Sequence, residues 1–236
     1  MRYFIVTDVH SFYDQMRAAL DAAGYDLHNP NHCFVSLGDL YDRGPQPIEC
    51  LDFVMNRVNP ARRILVRGNH EDLMKDRILR GHNLSHDYHN GTAETYDIIK
   101  EADKFDLLLG YHSTLCTYAE TKTGIFVHGW VPCYVERKGF TTDYERYELI
   151  ENWRDASESV WESARWLNGA ACWQDGVRVS GKTIYCGHWH CSWANYMFGG
   201  APNEWEDFRP FEREGICVLD ACTAYSGIAN CVVLEE

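Results

Sequence analysis

No apolar run in the chain approaches the roughly 18 residues a bilayer-spanning helix needs, so no transmembrane segment is expected. The start, MRYFIVTD, lacks the long apolar core and small-residue cleavage site of a secretory signal. CxxC pairs are missing too, although the chain holds 10 cysteines. Together these absences argue against a disulfide framework and for a cytoplasmic protein. The cysteines sit in apolar stretches such as NHCFVSL and ANCVVLEE, where buried free thiols are expected. Basic residues are few: 22 Lys and Arg stand against 35 Asp and Glu, a formal charge of −13. That balance excludes a nucleic-acid backbone as the main partner and suits a molecule that gathers divalent cations. Internal repeats, low-complexity segments and blocks of like charge are all absent. What is present is a globular composition, with 45% hydrophobic and 24% charged residues over 236 positions. Such a chain can bury one large core.

The apolar pattern alternates short runs with amphipathic ones. YFIV (3–6), CFVSL (33–37) and RILVR (63–67) read as strands. YDQMRAALDAAG (13–24), PIECLDFVMNRV (47–58) and EDLMKDRILR (71–80) read as the helices between and after them, the first stopped by Gly24. This βαβα order implies a parallel sheet covered by helices. Further helices are expected near 92–102 and 144–167. GIFVH, TIYCG, ICVLD and ANCVVL read as late strands that pair antiparallel. The segment 201–215 reads as a loop or rim. No domain boundary is visible; residues 1–236 read as one domain, with 131–180 forming a helical, Trp-rich cap on the same body.

Possible metal ligands fall at matching places on this map. Asp8 and His10 follow the first strand, Asp39 and Asp42 the second, Asn69 and His70 the third. His128 follows the fourth, and His188 and His190 the fifth. In open α/β sheets ligands bind beyond the carboxyl ends of strands, so the five clusters should converge. Gly38, Gly68, Gly129 and Gly187 each flank a candidate ligand, where close backbone approach is needed. Imidazole mixed with carboxylate and amide oxygen, with no obligatory thiolate, excludes a Cys-rich structural zinc site. It suits manganese, iron or zinc. The ligands are too many for one ion and match two, about 3.5–4 Å apart, sharing a carboxylate.

The motifs DxH (Asp8–His10), GDxxDRG (Gly38–Gly44), RGNHE (Arg67–Glu71), VHG (Val127–Gly129) and GHWH (Gly187–His190) occur in this order. The set resembles the calcineurin-like metallophosphoesterases, and within them the phosphoprotein phosphatase branch with its small phage and bacterial serine/threonine phosphatases. The resemblance implies an α/β fold, a β-sandwich of two mixed sheets flanked by helices, with a small helical cap insertion. It implies two divalent metal ions, manganese first, with iron or zinc as alternatives. Asp8 and His10 would hold one metal, Asp39 would bridge, and Asn69, His128 and His188 would hold the other. His70 would act as general acid, with Asp42 orienting it. Arg43 would fork onto the substrate phosphate, supported by Arg67 and by Arg165 from the cap.

Two positions depart from the family pattern. Ser11 stands where glycine usually follows the first histidine. His190 stands two places after the GH histidine, as in relatives where it completes the first metal; this keeps phosphodiester chemistry open. The expected substrate is a phosphorylated protein, with phosphoserine or phosphothreonine ahead of a dinucleoside polyphosphate such as diadenosine tetraphosphate. A phosphate-binding regulatory domain is the non-enzyme alternative, and the retained Asp39, Asn69 and His70 speak against it. His82, His86 and His89 read as a polar rim, Thr92 as a helix N-cap, and Asp220 as a structural residue at a strand end. The eight Trp residues read as core and cap packing rather than a base-stacking surface.

Overall fold

The computed structural model describes residues 1–81, 88–137, 145–199 and 206–236. Strands β1 (Arg2–Val6), β2 (His32–Ser36) and β3 (Arg63–Leu65) run parallel, as the βαβα order requires. Helices α1 (Tyr13–Ala22) and α2 (Pro47–Asp52) connect them, and the last strand, β11 (Val232–Glu235), adds antiparallel to β1. The predicted 47–58 helix keeps its α-form only to Asp52 and continues through Phe53–Arg57 as a wider π turn. Helix α3 (Asn69–Arg80) follows β3, and α4 (Thr92–Glu101) and α5 (Phe105–Thr114) come next. The sequence reading did not anticipate α5.

The second sheet holds β4 (Ala119–Glu120), β5 (Gly124–Phe126), β8 (Thr183–Cys186), β9 (Phe211–Arg213) and β10 (Ile216–Val218), in the order β4-β5-β8-β10-β9. Its three inner strands are parallel to one another, and only the edges β4 and β9 run antiparallel. The late strands are therefore mixed rather than antiparallel. Strand β9 also lies inside the 201–215 stretch read as a loop, and Phe211 anchors it in the core.

Strand alternation makes these sheets a sandwich. Phe4, Val6 and Phe34 face the covering helices beside Met16, Leu20 and Leu51. Ile5 and Val35 face the other way, against Phe126, Tyr185 and Cys217 of the second sheet. On that sheet's far side Ile184, Cys186 and Val218 pack with Trp130, Trp153 and Trp161. Cys186 thus lies on the face opposite Tyr185, as alternation predicts.

The outer layer on that side is not wholly helical. It begins with a hairpin of β6 (Cys133–Arg137) and β7 (Glu145–Leu149). The 144–167 helix shrinks to α6 (Glu158–Ala164), followed by α7 (Gly169–Gln174). The physical reason is a period of two: Glu145, Tyr147 and Leu149 are half-buried while Arg146 and Glu148 are exposed. Helix α8 (Cys191–Phe198) and a short α9 (Thr223–Ser226) complete the described elements. All ten cysteines are free thiols, and no helix among the described residues is long and apolar enough to cross a membrane.

Candidate metal centre

The carboxyl ends of β1, β2, β3, β5 and β8 meet at one rim of the sandwich. Among the described residues, nine non-glycine positions have a left-handed backbone, and seven belong to this rim: Asp8, His10, Ser11, Asp39, Asp42, Arg43 and His188. Such conformations cost energy and persist where surrounding bonds enforce them. Here His10 N–H donates to Asp39 O at 3.0 Å and Ser11 N–H to Leu40 O at 3.0 Å, lacing the first two turns together. Two glycines permit the closest approaches. A Cβ on Gly187 would lie 2.1 Å from Asp8 Oδ2, and one on Gly68 would lie 2.1 Å from Asp39 Oδ1.

Asp39 is the hub. Its Oδ2 lies 3.9 Å from His10 Nε2, 3.9 Å from His70 Nε2 and 3.5 Å from His128 Nε2. Two ligand groups share it: His10, Asp39 and His70 on one side, and Asp39, His128 and His188 on the other. Asp8 Oδ1 stands 4.0 Å from His10 Nε2. Its Oδ2 accepts from Thr7 Oγ1 at 2.6 Å and His188 N–H at 3.0 Å.

The donor chemistry fits cations. Nδ1 of His10 faces Tyr41 O at 3.1 Å and Nδ1 of His128 faces Leu37 O at 2.9 Å. Each Nδ1–H donates to a backbone carbonyl, which leaves Nε2 as a lone pair aimed into the site. His128 Nε2 then confronts Asn69 Oδ1 at 2.7 Å, one acceptor against another. A cation between them reconciles the pair. Burial, then the neighbouring His70 and Arg43, hold His10 well below the usual imidazole range. Burial, then His128 and His70, do the same for His188. Both shifts favour the neutral imidazole, the form that binds metal. Burial, reinforced by the charges of Asp8 and Glu71, pushes Asp39 well above the carboxylate range. Burial acts against ionisation of Asp8 as well, but His128, His10 and the Thr7 and His188 bonds outweigh it and keep Asp8 low. This crowding of buried carboxylates calls for positive charge.

His70 heads α3. Its Nδ1 lies 2.7 Å from Asp42 Oδ2, which also accepts from Thr92 Oγ1 at 2.6 Å. Thr92 is the first residue of α4 rather than its N-cap; Gly91 holds the cap position. Arg43 reaches His10 Nε2 at 3.0 Å and His70 Nε2 at 3.1 Å, so its guanidinium spans the mouth of the centre. Glu71 supports the floor. Its two oxygens accept from the backbone N–H groups of Gly68, Asp39 and Leu40 and from the Tyr111 hydroxyl, at 2.7–3.1 Å. This fully buried carboxylate fixes the Asp39 turn against α3.

The family profile described as calcineurin-like phosphoesterase matches residues 1–192. The chain belongs to this family. The asymmetrical bis(5'-nucleosyl)-tetraphosphatase of Bacillus subtilis is 32% identical over 112 residues, 44% of this chain and 46% of that protein. The symmetrical enzyme of that name from Coxiella burnetii is 28% identical over 131 residues, 55% of this chain and 42% of that protein. The matched regions thus cover less than half the length of these relatives. Among solved structures, a cold-active protein-tyrosine phosphatase of a psychrophilic Shewanella gives a TM-score of 0.58 at 14% identity, covering 100% of this chain and 75% of that one. A structure with a provisional diadenosine tetraphosphatase name gives 0.57 at 16% identity, covering 99% and 89%. At these identities the structural likeness is one of fold.

In this calcineurin-like phosphoesterase, several expected residues stand apart from the centre. His190 lies outside both ligand groups: its side chain is 45% exposed and its Nε2 is 3.9 Å from Asp220 Oδ2. Asp220, read from sequence as merely structural, is buried beside it, and burial together with Asp8 holds its carboxyl well above the usual range. Arg165 is neither solvated nor open to the site. It is 2% exposed, and it donates to Asp72 Oδ2 at 2.8 Å and Glu158 Oε1 at 2.9 Å. Arg67 shares Glu158, at 3.2 Å. His82 and His86 lie outside the described residues. Glu71 was missed because three of its four donors, Asp39, Leu40 and Tyr111, come from segments far away in sequence.

Proposed function

We propose that the chain is a metal-dependent hydrolase of nucleotide polyphosphates, with dinucleoside polyphosphates as the leading substrate class. The observation that carries the hydrolytic reading is the single carboxylate, Asp39, shared by two imidazole-bearing ligand groups. Asp8 and His10 would hold one divalent cation, Asn69, His128 and His188 the second, with Asp39 between; manganese, iron and zinc suit these donors. When bound, such ions supply Lewis-acid stabilisation of phosphoryl oxygens and a lowered pKa for water.

The chain's own groups do the rest. Arg43, forked across the mouth, grips the phosphate oxygens. His70 gives its proton to the leaving oxygen, and Asp42 holds the ring in the orientation that aims Nε2 outward. Arg67 and Arg165, ion-paired to Asp72 and Glu158, brace the wall beside α3 and leave the phosphate to Arg43. His190, beside Asp220 and outside both ligand groups, would add a further donor on the Asp8 side. The ten free thiols accord with a reducing, cytoplasmic setting.

The names of the relatives favour a dinucleoside polyphosphate over the phosphoserine or phosphothreonine group that the motif resemblance put first. Both substrates would use the same centre and differ in what lies beyond the phosphate. The test sets manganese-loaded protein against diadenosine tetraphosphate, a phosphothreonine peptide and a phosphodiester. The expected result is a kcat/KM at least about tenfold higher for the dinucleotide. A reversed preference would overturn the substrate assignment and keep the phosphatase chemistry. Metal-loaded protein that cleaves none of the three would overturn the enzyme reading.

A further inference from the structure

A cavity of about 500 Å³ adjoins the metal centre and is lined by Trp166, His188, Trp189, His190, Ser192 and Trp193. His188 belongs to both, one face in the ligand group with Asp39 and His128 and the other in this cavity. Among the described tryptophans, Trp173 and Trp193 are half-buried. Trp130, Trp153 and Trp161 are at most 4% exposed, whereas Trp166 and Trp189 are 42% and 41% exposed. The expectation that the indoles serve only core and cap packing therefore fails for these two.

We propose that Trp166 and Trp189 form a nucleobase-stacking site that holds one base of the substrate while its phosphates occupy the adjacent centre. This rests on the nucleotide reading above and adds the residues that would recognise the nucleoside. Three observations support it. The indoles are pre-placed: Trp166 meets the His188 ring edge-on at 5.4 Å, and Trp189 meets Trp193 edge-on at 5.8 Å. The backbone of Trp189 is held by its N–H bond to Gly187 O at 2.7 Å, in the same turn that carries His188. The cavity offers flat aromatic faces with a hydroxyl and an imidazole at its edge, the mixture that takes a π-faced heterocycle. The charge of −13 does not oppose such a ligand. Stacking needs no cationic groove, and the polyphosphate is met by Arg43 and the metals.

The experiment compares manganese-loaded wild type, Trp166→Ala, Trp189→Ala and the two Trp→Phe variants. Each is assayed on diadenosine tetraphosphate and on inorganic tripolyphosphate, which has phosphates and no base. Binding of AMP is measured separately by calorimetry. The expected result is a fall of about tenfold per alanine in the ratio of kcat/KM for the dinucleotide over tripolyphosphate. AMP affinity should weaken in parallel, with recovery in the phenylalanine variants. Equal losses on both substrates would make the indoles structural and overturn the proposal. Dinucleotide hydrolysis with no dependence on either indole would overturn it and leave the nucleotide function standing. AMP binding that depends on the indoles, in a protein that does not cleave the dinucleotide, would sustain the stacking site and sink the function. Indole dependence confined to a phosphopeptide would overturn the nucleobase in favour of a peptide side chain.

Discussion

His70 and Asp39 lie 3.9 Å apart, yet replacing each should leave a different signature. His70→Asn removes the imidazole that Asp42 orients and leaves the shared carboxylate in place. Turnover of an aryl phosphate should fall about 10²–10⁴-fold, the usual range for a lost general acid, with two metals per chain retained. Metal lost along with activity would instead make His70 a ligand, a role its grouping with His10 and Asp39 also permits. Asp39→Asn removes the charge common to both groups, so elemental analysis should find both metals depleted; full occupancy would refute a bridging role. These residues were legible because each chemical group directly follows an apolar strand. Glu71 was not. It sits inside a quoted motif, but its four hydrogen-bond donors come from three separate segments, and no local pattern announces that arrangement.

The turn after β1 is where the sequence departs from the pattern of its family, with Ser11 in place of the usual glycine. Asp8, His10 and Ser11 all take left-handed backbones, with φ of 48°, 48° and 62°. That explains why glycine is usual at the last position. Ser11 is fully buried and its hydroxyl has no hydrogen-bond partner among the described residues. Ser11→Gly should remove a left-handed penalty of about 1–2 kcal/mol and an unsatisfied hydroxyl, against some added entropy in the unfolded chain. The expected net gain of about 1 kcal/mol would raise Tm by roughly 2–4 °C. Ser11→Ala keeps the strain and serves as the control; a gain as large in alanine would assign the effect to the hydroxyl. The strands of the first sheet and the three inner strands of the second were legible from their apolar runs, whereas the short edges β4 and β9 were not. The β6–β7 hairpin was not, because the charged stretch around Glu145–Leu149 has the composition of a helix, and only burial of alternate residues against the second sheet shows its period of two.

The whole molecule depends on its two sheets staying in register, since Asp8, Asp39 and Asn69 come from the first and His128 and His188 from the second. The inter-sheet core around Ile5, Val35, Phe126 and Tyr185 supplies most of that union. A carboxylate clamp adds to it at the end remote in sequence from the centre. Glu236, next to the edge strand β11, accepts from Thr121 Oγ1 at 2.8 Å and from Thr123 N–H and Oγ1 at 2.6 Å. It also accepts from Lys122 N–H at 3.0 Å, so it grips the β4–β5 turn of the second sheet. Slight burial would raise its pKa, but these bonds win and bring it down to about 2. A depressed carboxylate pKa means the clamp stabilises the fold above the ordinary value of 4.5 and is lost as pH falls from there toward 2. The group is largely exposed, so solvent screening limits its worth to about 1 kcal/mol. Glu236→Gln should therefore lower Tm by roughly 2–4 °C at neutral pH. Other acid-sensitive carboxylates titrate in both proteins, so the difference between the two melting curves isolates this one. That difference should hold from pH 7 to about 5 and shrink as the pH drops further; a gap that stays constant through acid would show that the carboxylate charge does not hold the sheets together.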